Sequence, residues 1–306
     1  MTMTDSFGLP RQDLWSGLLS GDPDAEVGVL GVPFDGAVSF RRGAALAPSR
    51  LRELSTYLSP CAEEGQPLSL RVRDYGDVPA DLEWSRYFQA VEKRAAEVLQ
   101  HPLALFLGGD HSVTIPLIQA FDRAVDRPFG MVHFDAHPDL FDVHDGHRWS
   151  HACTARRALE LPGLDPRHLV FVGLCSFARE EWDFLRAHPE ITYYTARQCY
   201  KRGMEAIAEE VVNKLGDVQG VYFTLDIDGL SPAYAPGTGY PEGVGPGLRE
   251  LLEFVRMVFQ ELPVRALDVV EVAPSLDHND ITSFAALKVI YEVWWVIQGK
   301  RQRGNR

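Results

Sequence analysis

Cysteine is scarce: Cys61, Cys153, Cys175 and Cys199 are the only four in 306 residues, and no two of them form a CxxC pair. That excludes a disulfide framework and a thiolate zinc knuckle, and it suits a reducing compartment. Long apolar runs are also missing. None approaches the roughly 18 to 20 residues of a membrane span, and the opening MTMTDSFGLPRQDLW has neither the basic cap nor the apolar centre of a secretory signal. The expectation is a cytoplasmic protein with no membrane partner. Positive charge is in deficit, 30 Lys and Arg against 43 Asp and Glu, for a net charge of -13. A nucleic-acid binder would need the opposite balance, whereas a small cationic substrate is compatible with this one. Repeats, low-complexity tracts and Ser/Gly-rich linkers are absent as well. The chain therefore reads as a single domain over residues 1–306, with residues 1–25 set apart as an N-terminal extension.

What the sequence does contain is alternation. Apolar runs at 27–33, 102–109, 129–134, 169–175, 191–196, 220–228 and 264–272 predict strands, most of them apolar on both faces as parallel strands are. Helical spacing falls at about 47–58, 83–99, 150–161, 203–216, 247–261 and 280–298. In the last, Phe284, Leu287, Tyr291 and Trp294 form a stripe suited to a core, and Gly299 reads as the stop. Strands alternating with helices give a parallel sheet built by right-handed crossovers, which binds ligands beyond the carboxyl ends of its strands.

Three of those ends carry ligand-type side chains. MVHFDAHPDL (131–140) runs from apolar residues into Asp135, His137 and Asp139, which share a face if the backbone stays extended. LGGDHSV (107–113) places His111 after two glycines, and FTLDIDGLSP (223–232) ends in Asp226 and Asp228. Any one of these alone reads more simply as a polar turn. Jointly they bring two imidazoles and four carboxylates, whose charge balances two divalent cations. Carboxylates at buried strand ends are costly without such a partner. Oxygen donors outnumber nitrogen and no thiolate is near, a set that favours Mn²⁺ over Zn²⁺. Two ions sharing a water can deliver hydroxide at neutral pH, which is hydrolase chemistry.

GGDHS, DAHPD and LDIDGLSPAYAPGTG resemble, in order and spacing, the three signature segments of the ureohydrolase family, which includes arginases, agmatinases and other guanidino-acid hydrolases. LGVPFDGAVSFRRGAALAPSRLREL, SHACT and DVVEVAPSLD extend the resemblance over nearly the whole chain. It implies a three-layer α/β/α domain with a central, mainly parallel sheet, two Mn²⁺ per subunit, and hydrolysis of a guanidinium to urea and an amine. His111, Asp135, Asp139 and Asp226 would hold one ion; Asp135, His137, Asp226 and Asp228 would hold the other, with Asp135 and Asp226 bridging. By the same resemblance Glu271 would bind the guanidinium, His151 would shuttle the proton to the leaving amine, and Asp139 would also accept a hydrogen bond from the nucleophile. Trimers or hexamers are implied as the homo-oligomer. Cys153, beside His151, reads as a small buried residue rather than a nucleophile.

Some positions depart from the pattern. Ser231 stands where the third signature usually has Asp, and Tyr240 where a small residue is common. Arginase-like sequences place polar residues where this chain has Phe141, Ser176, Phe177 and Ala178. An α-amino acid would find few partners there, so agmatine, cleaved to putrescine and urea, is the first expected substrate, with guanidinobutyrate and related guanidino acids next. A non-catalytic metal-binding regulator is the reading from another class, and retention of Glu271 and His151 beside six ligand residues speaks against it. A one-metal zinc deacetylase is disfavoured because the donor set serves a second ion.

Overall fold

Runs such as LALFL and GVYFTLD carry large apolar side chains at successive positions and are stable only where a sheet is covered on both faces. The computed structural model describes residues 11–63 and 65–304. Among them are eight strands: β1 (Val27–Gly31), β2 (Val72–Asp77), β3 (Leu103–Leu107), β4 (Phe129–Phe134), β5 (Leu164–Leu174), β6 (Thr192–Thr195), β7 (Gly220–Asp226) and β8 (Val264–Val270). They form one parallel sheet in the order β2-β1-β3-β8-β7-β4-β5-β6. The register sets Leu107 beside Val269, Asp226 beside Val270 and Phe134 beside Leu225, so the ends of β3, β8, β7 and β4 lie level at the middle of the sheet.

Helices cover both faces: α1 (Ala47–Ser55), α2 (Trp84–Val98), α3 (Thr114–Ala124), α4 (Thr154–Ala158), α5 (Arg179–Ala187), α6 (Ala196–Arg202), α7 (Met204–Lys214), α8 (Leu248–Glu261) and α9 (Ile281–Gly304). Side chains alternate across each strand. On β3, Leu103, Leu105 and Leu107 join the core formed with α1, α7, α8 and α9, while Ala104 and Phe106 join the core formed with α2, α3 and α4. The result is the three-layer α/β/α arrangement that the sequence predicts.

Several elements differ from expectation for identifiable reasons. Strand β2 was not predicted because VRDYGD is an edge strand with charges instead of an apolar run; Arg52 on α1 binds its Asp74 at 2.8 Å and Asp77 at 2.5 Å. Helix α3 has apolar residues along its first turn, with Pro116 where proline is tolerated, and α5 and α6 span only nine and seven residues. The helix expected over 150–161 is a 3₁₀ turn, His151–Cys153, followed by the short α4. Gly299 does not stop α9, which continues to Gly304. The Lys300 ammonium donates to the carbonyls of Phe259 and Leu262 at 2.9 and 3.0 Å, and Arg301 meets Glu26 at 2.6 Å, contacts that hold the added turn. Phe284 is 36% exposed and leaves the core stripe to Leu287, Tyr291 and Trp294.

Residues 1–10 of the expected extension lie outside the described residues. Further along it, Trp15 is fully buried, edge-on to Trp294 with 5.5 Å between ring centroids, and its indole N–H donates to Asp74 at 2.8 Å. No helix among the described residues is long and apolar enough to cross a membrane.

Candidate active site

The turn after β3 is dictated by close approach. A Cβ on Gly109 would lie 1.7 Å from the Phe34 carbonyl oxygen, to which the Asp110 N–H donates at 2.7 Å. The Asp110 carboxylate then accepts from the Ala37 N–H at 2.8 Å and from the Ser112 N–H at 3.0 Å, tying the segment after β1 to the start of the next turn. Burial, with Glu271 nearby, pushes Asp110 up to about 7. This turn delivers His111 to the centre of the sheet.

The His111 imidazole has a defined tautomer. Thr224 on β7 donates its hydroxyl hydrogen to Asp268 on β8 at 2.6 Å, so its oxygen can only accept from His111 Nε2, 2.9 Å away. Asp268, fully buried, also accepts from Thr114 and Tyr222 at 2.7 and 2.6 Å. Nδ1 of His111 then faces carboxylate oxygens of Asp135 at 3.0 Å, Asp139 at 3.0 Å and Asp226 at 3.2 Å, and among the described residues it has no well-aligned hydrogen-bond partner. A nitrogen buried among three carboxylates calls for positive charge between them, a proton in the metal-free protein or a divalent cation in its place. A second group adjoins it: His137 Nδ1 lies 3.5 Å from Asp135 and 3.3 Å from Asp228. His111, His133, Asp135 and Asp139 bring one donor atom each within 4.8 Å of one another, and so do Asp135, His137 and Asp228. Asp135 belongs to both groups, its Oδ2 on the His111 side and its Oδ1 on the His137 side.

The electrostatics agree with a cation-binding cluster. Burial opposes charge on His111 and His137, yet the adjoining carboxylates raise both well above the usual imidazole range. Burial, with Asp228 and Asp135 beside it, pushes Asp226 well above the carboxylate range, and burial raises Asp228 to about 6. Asp135 goes the other way: burial would raise it, but His111, His133 and His137 hold it well below the usual range. The donor set and the orphaned Nδ1 fit two divalent cations.

These residues do not converge as alternate positions of extended strands. β4 ends at Phe134, and Asp139 turns back through a left-handed backbone, φ 50°. Asp228 sits in a 3₁₀ turn, Ile227–Gly229, after β7. Glu271, directly after β8, is also left-handed at φ 60°. Non-glycine residues held this way cost of order 1–3 kcal/mol each and cluster at functional sites.

Above the cluster lies a cavity of about 330 Å³ lined by His137, Asp139, His151, Asp226, Asp228 and Glu271 at its base, with Phe40, Arg41, Phe141, Phe177, Ala178 and Tyr240 further out. Glu271 accepts from the His111 N–H at 2.9 Å and lies 3.5 Å from His151 Nδ1. His151 Nε2 lies 3.0 Å from the Ser39 hydroxyl oxygen, and its burial is outweighed by Glu271, which helps hold the ring at about 9. His144 also lines the cavity, whereas His147 packs on Trp84 with 4.5 Å between centroids. Burial pushes the Cys153 thiol up to about 11, and Ser231 donates its N–H to the Pro246 carbonyl while its own carbonyl and hydroxyl accept within its turn.

Sequence reasoning missed three supports. His133 Nε2 lies 2.9 Å from Asp135 Oδ2, with its ring stacked 4.8 Å from that of His111. It stands two residues before Asp135, so the same i, i+2 logic could have found it. The Thr224–Asp268 pair and Glu242, whose Oε1 is 3.2 Å from His137 Nε2, have no local signal.

A parallel-sheet hydrolase fold with a two-cation donor set over its central strands defines the class. The sequence profile of the Arginase family matches residues 25–295, and the chain belongs to that family. It is 35% identical over 311 residues to an agmatinase of Edwardsiella ictaluri, covering 98% of this chain and 96% of that one. It is 34% identical over 281 residues to a guanidinobutyrase of Pseudomonas aeruginosa, covering 90% and 87%. Among solved structures, proclavaminate amidino hydrolase from Streptomyces clavuligerus superposes with a TM-score of 0.82 at 29% identity, covering 91% of this chain and 95% of that one.

Proposed function

We propose that this protein hydrolyses a small cationic guanidino compound to urea and an amine, with agmatine, yielding putrescine, as the leading substrate and guanidinobutyrate next. The observation that carries the reading is the juxtaposition of Glu271 and His151 with the His111 and His137 clusters at the base of one cavity. His111, Asp135, Asp139 and Asp226 would hold one ion and Asp135, His137, Asp226 and Asp228 the other, with manganese the proposed metal. Bound there, the pair would supply a water ionised at neutral pH and charge to offset the developing anion.

The chain's own groups do the rest. Glu271 is fixed by the His111 N–H at Oε1, leaving lone pairs toward the cavity for guanidinium N–H groups and so orienting the carbon to be attacked. Asp139, besides its part in holding an ion, would accept a hydrogen bond from the nucleophile. His151 is held between Glu271 at Nδ1 and the Ser39 hydroxyl oxygen, 3.0 Å from Nε2, and at neutral pH it is on the imidazolium side of about 9, the state that can protonate a departing amine.

Farther out, Phe141, Phe177 and Ala178 line a wall that suits methylenes and has no polar side chain of its own for an α-carboxylate, while Arg41 also lines the cavity. Glu181, buried at that wall and pushed by its burial up to about 7, accepts the N–H groups of Leu140 and Ala178 at 3.1 and 2.9 Å and would regain its charge beside a distal ammonium. Urea release from agmatine, arginine, guanidinobutyrate and guanidinopropionate by the Mn²⁺-loaded protein tests the reading. Agmatine should give the highest kcat/KM; a lead for arginine would refute the wall argument, and no release from any of the four would favour the metal-binding regulator. We propose a single domain, a cytoplasmic location and a trimer or hexamer in solution, the last to be measured by light scattering.

A further inference from the structure

A histidine that binds a metal through one ring nitrogen is oriented through the other, so the partner of that second nitrogen matters to affinity. The two imidazoles of this site have unlike partners. His111 is buried, and its Nε2 is held by Thr224 and Asp268 on two central strands. His137 sits at the cavity edge with its side chain 25% exposed, and its Nε2 faces Glu242 Oε1 at 3.2 Å. Glu242 follows β7 by 16 positions in a loop, and its Oε1 also accepts the Ser176 hydroxyl at 2.6 Å from the segment after β5. Tyr240 of the same loop lies edge-on to the His137 ring at 5.4 Å and to Phe40 at 5.9 Å.

We infer that Glu242 is a positioning residue for the site at His137, fixing that imidazole with its proton on Nε2 and its Nδ1 lone pair toward Asp135 and Asp228. A carboxylate is acceptor-only, so this contact selects one of the two neutral tautomers. Among the described residues the ring has no other side-chain partner at Nε2 and, being partly open to the cavity, could otherwise turn. Ser176 fixes the carboxylate in turn. Retention of the second ion therefore depends on a loop that shapes the substrate entrance, whereas the ion at His111 depends on the core. The inference rests on the two-ion reading of the site.

The test is Mn²⁺ binding to the metal-free full-length protein, measured by calorimetry and by metal content after dialysis, for wild type, Glu242→Ala and Ser176→Ala. Wild type should take up two ions. Glu242→Ala should weaken one of them by about 10- to 100-fold while leaving the other and the Tm of the metal-free protein unchanged; Ser176→Ala should weaken the same ion by less. Two affinities within twofold of wild type in Glu242→Ala would overturn the inference while leaving the function intact. So would unchanged metal binding with a raised KM, because Glu242 would then serve substrate instead of His137. Equal loss of both ions with a lowered metal-free Tm would reduce Glu242 to a structural residue. If wild type itself took up no ion, the function reading would fall first.

Discussion

Removing metal should cost this protein stability, and the cost can be estimated. Ions that bind only the folded chain stabilise it by RT ln(1 + [L]/Kd), about 2.7 kcal/mol per site at a hundredfold excess over Kd, or about 5 kcal/mol for two sites. For 306 residues at about 2.1 cal/mol/K per residue, the unfolding entropy near Tm is roughly 0.64 kcal/mol/K, so exhaustive chelation should lower Tm by about 8 °C. The increment should also depend on pH. His111 and His137 are raised well above the usual imidazole range and Asp226 well above the carboxylate range, so at neutral pH the metal-free cluster carries protons that incoming ions must expel. Binding therefore releases protons, and raising the pH favours the metal-bound state. The Tm gain on adding Mn²⁺ should grow steadily from about pH 6 to about pH 8.5. Calorimetric scans with and without chelator measure the first quantity, and titrations in buffers of different ionisation enthalpy measure the second. A Tm indifferent to chelation, or a binding heat indifferent to buffer, would refute the claim that the orphaned His111 Nδ1 marks a cation site.

Glu271→Gln keeps an acceptor for the His111 N–H but removes the charge that a guanidinium would pair with; kcat/KM should fall by roughly 10²- to 10³-fold, as expected for losing one partner of a buried ion pair. Metal content should be unchanged, and undiminished turnover would remove Glu271 from substrate binding. Trp15→Ala should destabilise the protein by about 3 to 5 kcal/mol, because the indole is fully buried against Trp294 and bonded to Asp74. Urea denaturation measures this, and a change below about 1 kcal/mol would show that the N-terminal segment is not part of the core.

Most of the sheet was legible because its inner strands are buried on both faces and so spell uninterrupted apolar runs. What was hidden lies at the edges. In β2, Arg73, Asp74 and Asp77 mask the strand, since an edge strand can satisfy charge sideways, here through Arg52. In α9, Gly299 carried a stop signal that tertiary contacts of Lys300 and Arg301 override. Helix propensity differences of about 1 kcal/mol for glycine are within reach of two or three such contacts.

The six proposed metal-binding residues could be picked out for a different reason from the one that brings them together. Asp135, His137 and Asp139 attract notice as a two-residue repeat after a strand, yet β4 stops before them and Asp139 arrives through a left-handed turn. A motif of short spacing survives such a change of geometry because its members stay close whatever the backbone does. Supports have no such protection: Glu242 is 105 positions from His137 and Asp268 is 44 from Thr224, so nothing in the sequence links them. Left-handed residues such as Asp139 and Glu271 persist only where the surroundings over-determine them. Here the Asp139 carbonyl accepts the Arg156 N–H at 3.1 Å, and the Glu271 N–H donates to the Gly109 carbonyl at 2.9 Å. The second bond joins the end of β8 to the turn that delivers His111. The carboxylate proposed to bind the guanidinium and the first imidazole are therefore positioned by one piece of backbone, and a change at Gly109 would displace both together.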